Sequence, residues 1–192
     1  NENLDLANKR VILRVDLNVP INDGKVLDKS RIIKIVPAIK ELINKKAKII
    51  LISHLGRPKG KIDPRLSLKP LVAIFENLLN FKVYFSSESH GSKVVEKSKK
   101  MKPGEVLLLE NIRFNKDEEL NTNFFSKELS KIGDVYINDA FSCSHREHTS
   151  ICGITNHIES FAGKLLLEEV KIIKMLTENA KKPVTCIIGG SK

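Results

Sequence analysis

No tryptophan occurs in these 192 residues, and aromatic side chains make up only 5% of them. A surface that stacks nucleic-acid bases needs such rings, so a base-stacking platform has little to build on. No apolar run approaches the roughly 20 residues that span a bilayer. The opening residues, Asn1-Glu2-Asn3-Leu4-Asp5, lack the basic start and apolar core of a signal peptide. They also lack an initiator Met, so the expectation is a chain that begins a few residues late. No Cys-x-x-Cys is present. The three cysteines, Cys143, Cys152 and Cys186, are odd in number and widely spaced. That pattern fits reduced thiols in a cytoplasmic protein. No H-E-x-x-H, no Walker A spacing and no G-x-G-x-x-G after the first strand can be found, which disfavours a zinc protease, a P-loop NTPase and a dinucleotide-binding domain.

What is present is an ordinary globular balance of 41% hydrophobic and 29% charged residues, long enough for one sizeable core or one domain plus a piece of another. The net charge of +10 admits nucleic acid, a membrane surface or small anionic substrates as partners. The lysines are scattered over surface-type positions such as Lys45-Lys46, Lys59-Gly60-Lys61, Lys97-Ser98-Lys99-Lys100 and Lys181-Lys182. A non-enzymatic nucleic-acid-binding module would need a continuous basic stripe instead, and its affinity would fall steeply with salt.

Apolar runs alternate with helical patterns along the chain. Lys9 to Val15 reads as a buried strand, stopped at Pro20, and Asn22-Asp23-Gly24-Lys25 as a tight turn. Ile32, Val36, Ile39 and Ile43 make a helical stripe capped by Asp28 or Ser30, with Pro37 as a kink or a late start. Further strands are expected at Ala47–Ser53, Lys82–Phe85, Glu105–Glu110, Asp134–Asn138 and Val184–Ile188. Helices are expected after a Ser67 cap, from Ser92 to Lys100, from Thr122 to Ile132 with Gly133 as the stop, and from about Gly163 to Asn179. The resulting fold class is α/β, a three-layer Rossmann-like domain with a mostly parallel sheet and helices on both faces.

In such sheets ligands bind beyond the carboxyl ends of the strands. Four polar segments sit there. They are Arg14-Val15-Asp16-Leu17-Asn18-Val19-Pro20, Ser53-His54-Leu55-Gly56-Arg57-Pro58, Glu110-Asn111-Ile112-Arg113-Phe114 and Asn138 to His148. Together with Arg31 they gather Arg57, Arg113, Arg146, His54, His145 and His148 on one edge. Arginine forks match carboxylate and phosphate oxygens, so a small polyanion is the ligand they suit. Asp16 and Asn18 can orient a ligand hydroxyl. Arg14 is the weakest member, because strand alternation can turn it away from Asp16. The His145/His148 pair suggests zinc only weakly, since further ligands are missing, and no metal site is expected. Cys143 near His145 lacks a third orienting group for a nucleophile. Gly189-Gly190-Ser191-Lys192 follows a strand, where glycines let amides approach a phosphate.

These segments, in this order, resemble the phosphoglycerate kinase family. Arg14-Val15-Asp16-Leu17-Asn18-Val19-Pro20 resembles its opening signature, and Asp28-Lys29-Ser30-Arg31-Ile32 its D-x-[ST]-R-I segment. His54-Leu55-Gly56-Arg57-Pro58, Leu109 to Phe114, Asn138-Asp139-Ala140-Phe141 and His145-Arg146-x-His148 come next. Gly189 to Lys192 resembles the start of G-G-[AS]-K-V-x-x-K. The resemblance implies reversible phosphoryl transfer between 1,3-bisphosphoglycerate and ADP, giving 3-phosphoglycerate and ATP, in a cytoplasmic monomer. It implies that Asp16, Asn18, Arg31, His54, Leu55, Gly56, Arg57, Arg113, His145 and Arg146 contact substrate. It further implies catalytic roles for Arg31 and Lys192, with Lys192 also on the nucleotide side. Mg2+ with ATP or ADP would be bound mainly by a C-terminal domain.

The resemblance divides the chain into a 3-phosphoglycerate-binding domain over 1–165, a connecting helix over 166–182 and the first strand of a nucleotide domain over 183–192. The isolated piece is expected to bind substrate without turning it over. In the strand-end loop the family's D-A-F-G-[TA]-A-H-R-A-H is here Asp139-Ala140-Phe141-Ser142-Cys143-Ser144-His145-Arg146-Glu147-His148. Ser142 would be strained if the loop demanded a positive φ, and Glu147 is expected to point outward.

Overall fold

The strands form because β-branched and leucine runs can bury both faces, and they do so around one sheet. In the computed structural model, residues 4–22, 24–178, 180–185 and 187–189 are described. The chain opens with β1 (Arg10–Arg14), a two-residue hairpin β2 (Ile21–Asn22) and β3 (Lys25–Val26), and α1 (Ser30–Asn44). Then come β4 (Lys48–Ile52), α2 (Leu71–Leu79), β5 (Val83–Ser86), α3 (Ser92–Lys100) and β6 (Val106–Leu109). The short α4 (Asp117–Leu120), α5 (Asn123–Ser130), β7 (Val135–Asn138), β8 (Ser160–Ala162) and α6 (Lys164–Glu178) complete it. The sheet runs β5-β6-β4-β1-β7-β8, and all its pairings are parallel.

The period of two along each strand divides the core between two layers. Val11, Leu13, Ile49, Leu51, Val106 and Leu108 face α1 and α2, meeting Ile32, Ile35, Ile39, Leu71 and Phe75. Ile12, Ile50, Ile52, Leu107, Leu109 and Tyr136 face the other way, onto Val94 of α3 and Phe125 and Leu129 of α5. Each such buried side chain contributes about 1.5–3 kcal/mol of transfer free energy. Helices therefore cover both faces, as the alternation of patterns predicts.

Several local expectations shift. Pro37 neither ends nor delays α1, which runs unbroken from Ser30; the proline is exposed, so the carbonyl left without its donor lies on the wet side. No side chain caps α1, although Asp28 accepts from the Ser30 amide at 2.8 Å. Ser67 does not cap α2. It follows a 3-10 turn, Pro64–Leu66, and its hydroxyl accepts from Lys69 while donating to Glu110. Val184, Thr185, Ile187 and Ile188 lie in no strand; Val184 is 57% exposed and both isoleucines 92%. A strand exists only through its neighbour's ladder, and none of the described strands offers them one. Cys186 and the lysine end of the Gly189–Lys192 motif, including Lys192, lie outside the described residues.

Gly133 has a packing reason rather than a helix-ending one. Its backbone is not in the left-handed region, and α5 already stops at Ser130. A Cβ at 133 would come within 2.5 Å of Ile12 Cγ1 and 2.9 Å of the Arg10 carbonyl oxygen. The close approach brings the next residue, Asp134, onto Arg10, whose amide and guanidinium it accepts at 2.8 and 2.6 Å. Gly133→Ala is expected to lower stability by about 1–3 kcal/mol, since β1 is central and cannot shift alone. Urea unfolding followed by circular dichroism reads this directly, and an unchanged midpoint would mean that β1 gives way freely.

Candidate functional site

Four strand ends, those of β1, β4, β6 and β7, open on the same edge because the strands of the six-stranded sheet are parallel. Behind the edge lies a buried polar floor. Arg14, 1% exposed, closes β1 with its whole side chain inside the protein. Its Nε donates to Ser150 Oγ at 3.0 Å, its Nη1 to the Val15 carbonyl and Ser53 Oγ, and its Nη2 to His54 Nδ1 at 3.0 Å. The Ser150 hydroxyl donates in turn to Glu118 Oε1 at 2.6 Å, and the Ser150 amide to Oε2 at 2.9 Å. Glu118 is wholly buried. Burial pushes its carboxyl up, while Arg14 and the Ser150 bonds pull against that. Tyr136, from β7, donates to the Ser150 carbonyl at 2.6 Å.

Above the floor stand the cations. Arg113 is 3% exposed, held by Nη1 on the Gly56 carbonyl at 3.0 Å, with Glu119 3.6 Å from its Nε. Its Nε and Nη2 have no hydrogen-bond partner. Burial first, and then Arg146 and Arg14, draw its pKa down, against the opposing pull of Glu119. His54, also buried, falls to about 2, through burial first and then Arg14, Arg113, Arg146 and His148. His148 is lowered as well, by burial and then Arg113, with Glu119 opposing. Arg146 is half-buried, whereas Arg57 and His145 are exposed. Among the described residues these last three side chains make no hydrogen bond or ion pair.

The remaining contacts tie the loops together. Asp16 Oδ1 accepts from the Asn18 amide at 2.9 Å, and its Oδ2 receives Arg31 Nη1 and, at 2.5 Å, the Ser142 hydroxyl. Asn18 Oδ1 accepts from the Gly56 amide at 2.9 Å. Gly56 has φ 62, and a Cβ there would strike Leu66 at 2.7 Å. Asn111 bridges the Leu55 and Leu66 carbonyls at 2.8 and 2.9 Å, which seats the His54–Pro58 turn on the Arg113 loop. Beyond β7, Asp139 Oδ1 accepts from the Leu166 amide at 3.2 Å and so sits on the first turn of α6.

Of the residues singled out in sequence, direct bonds thus join Asp16 to Arg31, Asn18 to Gly56, and Gly56 to Arg113. His54 joins the floor and feels Arg113 and Arg146. Leu55 lends a carbonyl to Asn111. Arg57 and His145 lie on the same edge without a hydrogen bond or ion pair among the described residues. Arg14 is indeed turned from Asp16, but inward, onto His54. Ser142 has no positive φ, so its replacement of glycine brings no strain, and Glu147 is exposed as expected. Cys143 is buried with Sγ 3.9 Å from His54 Nδ1, but Arg14 already donates to that nitrogen, so the pair is not arranged as a nucleophile and its base. His145 to His148 is not helical.

Sequence reasoning placed Ser53 in a strand-end segment without a role of its own, and missed Glu118, Tyr136 and Ser150. Glu118 stands in Asp117-Glu118-Glu119, which reads as a solvated acidic turn, and only its position under Arg14 distinguishes it.

With this geometry in hand, the similarity to known proteins is direct. A family model described as phosphoglycerate kinase matches residues 1–192. Phosphoglycerate kinase of Orientia tsutsugamushi (strain Ikeda) is 55% identical over 187 residues, covering 97% of this chain and 46% of the relative. That of Wolbachia pipientis wMel is 48% identical over 191 residues, covering 100% and 48%. The solved phosphoglycerate kinase from Coxiella burnetii superimposes with a TM-score of 0.85 at 36% identity, over 95% of this chain and 46% of that one. The chain therefore spans about half the length of the curated relatives it matches. A parallel six-stranded sheet, an arginine-rich edge beyond its strand ends and a match from the first residue to the last place this chain in the phosphoglycerate kinase family.

Proposed function

We propose that this chain forms the 3-phosphoglycerate-binding half of a phosphoglycerate kinase, which moves a phosphoryl group between 1,3-bisphosphoglycerate and ADP. The observation that carries the reading is the crowding of Arg113, Arg146 and Arg14 around His54, with two buried guanidinium nitrogens of Arg113 lacking a hydrogen-bond partner. Like charges converging behind a low-dielectric wall raise the free energy of the empty site, and an anion relieves it. A ligand with a carboxylate at one end and a phosphate at the other matches planar forks spread over several loops.

In this reading Arg113, Arg146, Arg57, His54 and His145 hold the anionic ends, with the Leu55 and Gly56 backbone beside them. Asp16 and Asn18 orient the hydroxyl. In ATP formation an oxygen of the ADP terminal phosphate attacks the acyl phosphorus, and the bond from that phosphorus to the carboxylate oxygen breaks. The protein's work is to position the groups and neutralise charge. Arg31 now rests on Asp16 and is 48% exposed, so it is free to leave for the phosphoryl group. Lys192 would approach the same group from the nucleotide side. Magnesium would enter with the nucleotide. Among the described residues no cluster of three or more His, Cys, Asp or Glu can hold a metal, so we assign it no ligand in this half.

The enzyme is read as a cytoplasmic monomer. None of the described helices is long and apolar enough to cross a membrane. By itself the present chain is expected to bind without forming ATP.

Isothermal titration with 3-phosphoglycerate at low salt tests the reading. Arg146→Ala is expected to weaken binding by roughly tenfold or more, the loss of one charge-assisted hydrogen bond at about 1.5–3 kcal/mol. Its urea midpoint should stay within about 0.5 kcal/mol of the parent, because the side chain bonds nothing else. Absence of heat for the parent chain, or unchanged affinity in the variant, overturns the proposal. Ser142→Gly removes one of the three donors to Asp16, at about 0.5–1.5 kcal/mol, and is expected to weaken the same titration two- to tenfold. Equal affinity would make that bond ornamental.

A further inference from the structure

The floor of the site contains a group with no partner choice. A guanidinium has only donors, so Arg14 Nη2, 3.0 Å from His54 Nδ1, can only donate to it. Nδ1 must then be bare, and the single ring proton of a neutral imidazole must sit on Nε2. An imidazolium would set one N–H against another beside a buried cation. Arg14 cannot easily yield to such a clash, because three other acceptors hold it in place. These are Ser150 Oγ, the Val15 carbonyl and Ser53 Oγ. The serine on its Nε is in turn fixed by Glu118, the buried counter-charge of the guanidinium.

The groups around the ring agree. Arg14 approaches from β1, Arg113 from the loop after β6, and Arg146 and His148 from the loop after β7, with Cys143 Sγ at 3.9 Å. The carboxylate nearest in the network, Glu118, reaches His54 through Ser150 and Arg14, and its Oε1 also lies 4.0 Å from His148 Nδ1. Among the described residues no hydrogen bond occupies Nε2, which lies on the ring edge away from Arg14.

We propose that Arg14 is a positioning residue that locks His54 as the neutral Nε2–H tautomer and presents that N–H as an uncharged donor to the anion held by Arg113 and Arg146. The ligand half of this statement rests on the function proposed above, while the tautomer half does not. The chemical gain is one more donor in a cluster where a further positive charge would be repelled. It also makes the donor insensitive to pH across the range in which an ordinary histidine titrates.

The test is a long-range proton–nitrogen correlation spectrum of the histidine rings of the ligand-free chain. His54→Gln identifies the signals by deleting them. The expected pattern is a bare Nδ1 and a protonated Nε2, unchanged between pH 5 and 8. A protonated Nδ1, or an imidazolium appearing in that range, overturns the proposal. Arg14→Met alone leaves Glu118 buried without its partner and can fail to fold, so Arg14→Met/Glu118→Met is made instead. In that variant the ring is expected to titrate, or to mix tautomers, and 3-phosphoglycerate affinity to fall at least tenfold at pH 8. A variant that keeps the parent's tautomer shows that Arg14 does not set it. A parent chain with the expected spectrum but no binding of 3-phosphoglycerate overturns the substrate reading and the donor role together, and leaves the tautomer lock standing.

Discussion

A full positive charge buried at the end of the central strand constrains everything around it. Arg14 belongs to β1, which pairs with β4 on one side and β7 on the other. Leaving water is expensive for a guanidinium unless its donors are met and its charge answered. Here the answer comes from three other elements. Ser53 and His54 follow β4, Ser150 lies beyond the loop after β7, and Glu118 is in α4. Such a network specifies a geometry more than it adds stability, because each partner lost leaves another stranded. It fixes how the loops above it are spaced, and so where Arg113 and Arg146 stand.

That dependence explains which features are readable from the chain. Buried strands announce themselves as Val11-Ile12-Leu13 or Ile49-Ile50-Leu51-Ile52, because burial on both faces favours apolar side chains along their middles. The placing of polar segments beyond them comes from parallel topology alone. Arg57, Arg113 and Arg146 are legible as candidate anion ligands because they stand in the polar segments that follow β4, β6 and β7, where ligands of parallel sheets bind. Glu118 is not legible, since its neighbours Asp117 and Glu119 look the same in sequence and differ only in what lies over them. Nor is β8, three residues of which only the pairing to Tyr136, Ile137 and Asn138 makes a strand. Gly133 looks like a helix stop in sequence and is something else. Its missing Cβ serves a distant strand, β1, a contact that no local pattern encodes.

The strand-end loop departs from the family where its neighbours allow it. Glycine at 142 would be needed for a positive φ, and the loop has none there. A serine therefore fits, and its hydroxyl finds the carboxylate that Arg31 also holds. Asp16 then has an attachment to the loop after β7 that is independent of Arg31. If Arg31 moves to a phosphoryl group, the carboxylate keeps two of its three donors and its orientation.

The same loop also sets where α6 begins. Asp139 Oδ1 takes an amide of the first turn of α6, and Gly163 must be glycine because a Cβ would lie 2.3 Å from that oxygen. Lys164 adds an ion pair to Glu41 of α1 at 2.6 Å. The start of α6 is thus held at two points, one on the anion loop and one on the helix layer, while Leu167, Val170, Ile173 and Met175 stand 44–55% exposed. The root of α6 is therefore anchored by hydrogen bonds and an ion pair, while its shaft packs little against the other described residues. Only a rotation at that root, not a simple shift, would be amplified along the 15-residue helix, because its far end lies many rises of about 1.5 Å away.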